Sequence, residues 1–142
     1  MMAAPDFDSL SVGDVVAERT VELSRDALVR YAGASGDFNP IHYRDDVATS
    51  VGLPGVIAHG MLTMGLSVQP VVDWAGDAAL VEDYQVRFTR PVVVDPATGA
   101  TVTVSAKVGL LDAEARVARI DLTTTFDGST VLGKAQVRVR LA

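Results

Sequence analysis

The sequence predicts an α+β fold, one long buried helix wrapped by an antiparallel β-sheet, and three observations carry that prediction. Val56 to Trp74 is apolar almost all the way round a helical wheel, the mark of a helix covered on most sides. From Tyr84 onward the period changes to two, the repeat of a half-buried strand. Turn formers separate the alternating runs, so consecutive hairpins make the sheet antiparallel.

The elements follow in order. Asp14 to Leu23 is strand-like with loose alternation. Ser24 is a good N-cap for a helix over Arg25 to Ala32, where Leu28, Tyr31 and Ala32 share a face, and Gly33 and Gly36 are expected to end it. Ser35-Gly-Asp-Phe-Asn-Pro40 is an ordered loop, because Pro40 biases Asn39 away from helical backbone. A short helix follows from Asp45 or Asp46, and Leu53-Pro-Gly55 breaks the chain before the central helix begins at Val56. Gly60 and Gly65 leave room for close backbone approach, and Pro70 should kink or interrupt that helix.

In the second half Tyr84, Val86 and Phe88 share one face, as do Val102, Val104, Ala106 and Val108. Two further runs are Ala118, Ile120, Leu122, Thr124, Phe126 and Val131, Gly133, Ala135, Val137, Val139, Leu141. Asp95-Pro-Ala-Thr-Gly99 reads as a loop, Leu111 to Ala115 as a connection and Asp127-Gly128 as a tight hairpin turn. No repeat, low-complexity tract or linker divides the chain, so residues 1–142 read as a single domain.

Composition excludes several classes. A chain of 142 residues with 49% hydrophobic content can bury a core. Its formal charge of -6 argues against binding nucleic acid through phosphate neutralisation. The absence of cysteine rules out disulfides and thiolate chemistry. Met1 to Leu10 carries acids where a secretory leader carries Lys or Arg, and the longest apolar stretch, Val51 to Trp74, is interrupted by Pro54, His59, Gln69 and Pro70. The chain is therefore expected to be cytoplasmic, with no membrane span.

The two histidines, His42 and His59, both fall in the first half, and with no cysteine present a neutral-pH acid or base is most naturally drawn from them and a nearby carboxylate. Asp37 is the nearest upstream carboxylate, across a loop stiffened by Pro40. Asp and Asn in such a string ordinarily cap turns, and for Asp37 and Asn39 both readings stand at this point. His59 is equally readable as a hydrogen-bonded packing residue or as a catalytic one. Gly60, near the N-terminus of a buried helix, offers either an unpaired amide to an oxyanion or simply a place for close packing. No spacing of His with clustered acids marks a metal site, and no phosphate loop or nucleophile elbow occurs.

Tyr31-Ala-Gly-Ala-Ser-Gly-Asp-Phe-Asn-Pro-Ile-His42, with Ala48 following, resembles the signature of the MaoC-like R-specific hydratases, and Ala58-His-Gly-Met-Leu62 resembles the second landmark of that family. Ala34 stands where the signature carries Gly or a larger aliphatic residue. The similarity runs from Val12-Gly-Asp14 through Tyr84-Gln-Val-Arg-Phe88 to the C-terminus and, within the family, looks closest to the B-type catalytic subunit of actinobacterial (3R)-hydroxyacyl-ACP dehydratases.

The resemblance implies a hot dog fold, an acyl tunnel near a dimer interface, and reversible hydration of trans-2-enoyl thioesters in fatty acid metabolism without a cofactor. It places Asp37 and His42 beside the reacting water, Gly60 as amide donor to the thioester oxygen and Asn39 as a supporting residue. The implied substrate is an acyl-ACP or acyl-CoA and the implied partner a second hot dog subunit, identical or related. Arg87 and Arg90 are candidate cations for the carrier, although solvated surface charge explains either one. Two rivals are a catalytically idle subunit that only holds an acyl chain and an acyl thioesterase on the same fold.

Overall fold

The computed structural model describes residues 4–142. The first three positions of the stretch read above for a leader lie outside the described residues. Among those residues no helix is long and apolar enough to cross a membrane.

Strand β1 (Val15–Leu23) leads into helix α1 (Arg25–Ser35). After a 3₁₀ turn at Pro40–His42 come α2 (Asp45–Ser50) and α3 (Gly60–Ala75). The remainder is sheet: β2 (Val81–Phe88), β3 (Ala100–Asp112), β4 (Val117–Phe126), the two-residue β5 (Ser129–Thr130) and β6 (Leu132–Arg140). The strands lie in the order β1-β3-β4-β6-β2, with β5 hydrogen-bonded to β4 and every pairing antiparallel.

Helix α3 packs against all five long strands, which is the wrapped arrangement expected from the sequence. Its buried residues include Val71 and Ala75, which join a core formed by alternate residues of β3, β4 and β6: Val102, Ala106 and Val108, Ala118 and Ile120, Val137 and Val139. The Tyr84 hydroxyl donates to the Met64 carbonyl at 2.8 Å, tying β2 to α3, and burial raises its pKa.

The Asp127-Gly128 hairpin is as expected, with Phe126 opposite Ser129 and positive φ at both turn residues, 50° and 73°. The consecutive-hairpin expectation needs correction at β2. It does not lie beside β1 or β3, because the long α3 crossover delivers it to the far edge of the sheet next to β6.

Three helix expectations also differ. Helix α1 passes through Gly33 and ends at Gly36, whose φ of 75° supplies the left-handed cap and whose N–H bonds the Ala32 carbonyl. Helix α3 begins at Gly60 rather than Val56. Residues 56–58 are extended: the Ala58 N–H donates to Val92 O and the Val94 N–H to Val56 O, both at 2.9 Å. Pro70 does not interrupt α3, since tertiary packing of this buried residue outweighs its one missing helical bond. As expected, α3 is covered on most of its sides. Met61, Gly65, Gln69 and Asp73, spaced by one helical turn, form an open stripe.

Candidate active site

The site is assembled where the Gly36–His42 loop meets the start of α3. Local bonds shape the loop: Ser35 Oγ accepts the Asp37 N–H at 3.1 Å, Asp37 Oδ1 accepts the Asn39 N–H at 3.1 Å, and Asn39 Oδ1 accepts the Ile41 N–H at 3.2 Å. The capping reading of Asp37 and Asn39 is thus realised in the structure. It leaves Asp37 Oδ2 outside the turn. Both residues are exposed, whereas His42 is buried.

His42 is fixed from behind. Its Nδ1 lies 2.7 Å from Ile57 O, while the Ile57 N–H donates to Ile41 O at 3.2 Å, so the extended segment before α3 holds both the backbone and the ring of the loop. A carbonyl only accepts, so Nδ1 carries the proton, and the neutral ring keeps its lone pair on Nε2. Burial is the main influence on this imidazole and lowers its pKa. The proximity of His59 acts the same way, against the Ile57 bond and the Asp37 carboxylate.

His59 is buried behind the same loop, donating from Nε2 to the Asp37 carbonyl at 3.1 Å. Its ring stacks on His42 with centroids 3.8 Å apart and planes 22° from parallel, and it meets the Tyr31 ring edge-on at 4.7 Å. One potential ligand atom from each of Asp37, His42 and His59 lies within 4.8 Å of the other two, a cluster that the sequence spacing did not reveal. The trio suits a metal poorly. Imidazole lone pairs lie in the ring planes, so stacked rings aim them side by side rather than at one point, and each ring already gives one nitrogen to a backbone carbonyl.

Gly60 is the first residue of α3, and the first N–H groups of a helix have no partner within it. It lines a cleft of about 320 Å³ together with His42, Thr63, Phe88, Arg90 and Leu132. Asp37 is not among the lining residues and stands outside the cleft. Of the two candidate cations, Arg90 borders the cleft and Arg87 does not.

Thr63 and Phe88 were missed as site residues. Phe88 gave a signal, since it occupies the inner-face phase of its strand; here it is 55% exposed because it has passed the edge of the core and covers Gly60 instead.

The chain is 32% identical to the (R)-specific enoyl-CoA hydratase of Rhodospirillum rubrum, in a match covering 82% of this chain and 80% of that one. It is 33% identical to the 3-hydroxybutyryl-CoA dehydratase of Methylorubrum extorquens over 94% of this chain and 83% of the relative. The 3-hydroxyacyl-thioester dehydratase X of Mycobacterium tuberculosis is 40% identical, but that match covers 51% of this chain and only 25% of the relative. A solved MaoC-like dehydratase superposes with a TM-score of 0.95 at 41% identity, over 99% of this chain and 43% of that one. The (R)-hydratase of A. caviae, at 23% identity and a TM-score of 0.82 over 94% of this chain and 98% of its own, shares the hot dog fold. With the family model for the MaoC like domain matching residues 9–125, the chain belongs to the MaoC-like family.

Proposed function

We propose that this chain, acting as one hot dog domain, catalyses the reversible hydration of trans-2-enoyl thioesters to (3R)-hydroxyacyl thioesters. The carrying observation is the buried His42 ring, locked by Ile57 O into the tautomer that keeps Nε2 as a base, on the same cleft as the Gly60 amide at the start of α3. The names of the Rhodospirillum and Methylorubrum relatives, which match over most of their length, support the same chemistry.

In the hydration direction His42 Nε2 takes a proton from water as the water oxygen bonds to C3. The C2=C3 electron pair moves toward the thioester carbonyl, whose oxygen gains charge and is held by the Gly60 N–H. The imidazolium then returns a proton to C2, the carbonyl reforms, and the enzyme ends unchanged. Because one ring delivers both transfers, hydroxyl and hydrogen add to one face of the double bond. The Asp37 carboxylate stabilises the transient imidazolium, and Asn39 supports the loop through its bond to the Ile41 N–H.

The carrier is coenzyme A or acyl carrier protein, with Arg90 at the cleft as the cation available to its phosphate. Phe38, Met61 and Phe88, 62%, 59% and 55% exposed, flank Asp37 and Gly60 with uncovered apolar surface, which supports a second hot dog subunit closing over the site.

The test is the loss of enoyl absorbance with enoyl-CoA and enoyl-ACP, coupled to analysis of product chirality. A 3R product is expected. Thiol release without hydration would instead indicate a thioesterase. Tight acyl binding without turnover on either carrier, with the oligomer intact, would indicate an idle binding subunit.

A further inference from the structure

His59 is a buried titratable side chain for which this chemistry has no direct use. It is 1% exposed, and its Nδ1 is buried without a hydrogen-bond partner. A buried unpaired nitrogen costs stability, and an apolar aromatic ring would fill the same space without that cost. The compensating feature is on its other nitrogen. Among the described residues, the remaining hydrogen bonds of Asp37 and Asn39 reach partners two or three positions away, shaping the turn without attaching it to the rest of the molecule. The bond from His59 Nε2 to the Asp37 carbonyl spans 22 residues and joins the loop to the start of α3, where the same ring stacks on His42.

We propose that His59 is a positioning residue: its bond to the Asp37 carbonyl holds the Asp37 carboxylate in place beside His42 and so sets kcat. The inference rests on the hydratase reading above. It predicts opposite behaviour for two substitutions. His59→Phe keeps a stacking ring and removes both the orphaned nitrogen and the bond. His59→Gln places an amide N–H near the position of Nε2 and restores the bond without the ring.

The experiment measures kcat, KM and the melting midpoint of the full chain in both variants, together with hydrogen exchange at the Asn39 amide, which bonds Asp37 Oδ1. For His59→Phe we expect a kcat lower by roughly 10-fold to 100-fold, the weight of a small misplacement of a reacting group. KM should stay within about twofold, the midpoint should be unchanged or higher, and Asn39 exchange should be faster. His59→Gln should return kcat to within about fivefold of the parent and slow the exchange again. A His59→Phe protein with parental kcat, or a His59→Gln protein no better than it, overturns the proposal. If the parent itself lacks hydratase turnover, the functional reading fails. The exchange data then still decide the tie to Asp37, since unchanged Asn39 exchange in His59→Phe refutes it.

Discussion

The ring of Phe88 lies so close to Gly60 that a Cβ placed on the glycine would sit 3.0 Å from both Cδ1 and Cε1. Phe88 is more than half exposed, so its ring can swing aside, and Ala is at least as good as Gly in a helix. Gly60→Ala should therefore fold with a nearly unchanged melting midpoint. The displaced ring and the added methyl both intrude where, in the proposed reaction, a thioester carbonyl reaches the amide, so kcat/KM should fall roughly tenfold or more. Adding Phe88→Ala separates the two causes: partial recovery assigns the loss to the ring, none assigns it to the methyl.

Asp37→Asn retains the local turn, because an amide oxygen accepts the Asn39 N–H as well as a carboxylate oxygen does. It removes the charge. His42→Ala removes the proposed base and leaves Ile57 O to water or to a rearranged neighbour. Each should lower turnover by roughly 100-fold to 10,000-fold while the far-ultraviolet circular dichroism spectrum stays that of the parent. Near-parental turnover in either would remove that residue from the mechanism.

The pH dependence follows from burial of His42. Its pKa in the folded chain lies below the ordinary 6.5, so Nε2 is a free base at neutral pH and kcat/KM should hold steady as pH falls through 6.5, declining only at the lower value. The stability effect has a definite sign. Below 6.5 the unfolded chain takes up this proton before the folded one, so the His42 contribution is intact above 6.5 and is lost as pH falls toward the folded value. Urea midpoints across that window, compared between the parent and His42→Leu, should fall more steeply in the parent.

Arg25 and Asp45 show what the sequence could and could not display. Two guanidinium bonds of 2.9 and 3.2 Å hold Asp45, which also accepts the Val56 N–H at 3.0 Å, while Arg25 Nε donates to Val94 O. The Arg25 hydrogen bond is the main reason the Asp45 carboxyl titrates below its usual range. Four separate segments meet here, and no local pattern announces such a junction. The start of α3 was misread for the same reason: Val56 to Ala58 fits a helical stripe as well as a strand, and what decides it is pairing with 92–94, more than thirty residues away. The approach of Asp37 to His42 was legible, because only a short loop stiffened by Pro40 separates them. The His59 tie to Asp37 and the placing of Phe88 over Gly60 were not, because each depends on a contact between distant segments.

The Arg25 junction makes its own prediction, since it holds the 56–58 segment that in turn fixes His42 through Ile57. Arg25→Lys keeps the charge but loses the planar fork that grips Asp45 and Val94 together. It should lower the melting midpoint and reduce kcat several-fold through looser placement of His42, with little change in KM. A parental kcat in a variant with a lowered midpoint would confine the junction to stability.

Under the site, Thr124 Oγ1 donates to Ser67 Oγ at 2.8 Å, and Ser67 Oγ donates to the Thr63 carbonyl at 2.8 Å, all three residues being buried. This chain of hydroxyls joins β4 to the turn of α3 that lines the cleft. Ser67→Ala strips Thr124 of its acceptor and leaves a buried hydroxyl unsatisfied, a loss of roughly 1–3 kcal/mol. Thr124→Val removes a donor while Ser67 keeps its bond to Thr63 O, so it should cost less, about 0.5–1.5 kcal/mol. The double variant deletes both buried hydroxyls together, and its destabilisation should fall clearly short of the sum of the two. Urea unfolding of the four proteins measures that coupling. An additive result would mean that the hydroxyls do not depend on one another, and that apolar packing, rather than this hydrogen-bonded chain, fixes the cleft-lining turn of α3 against the sheet.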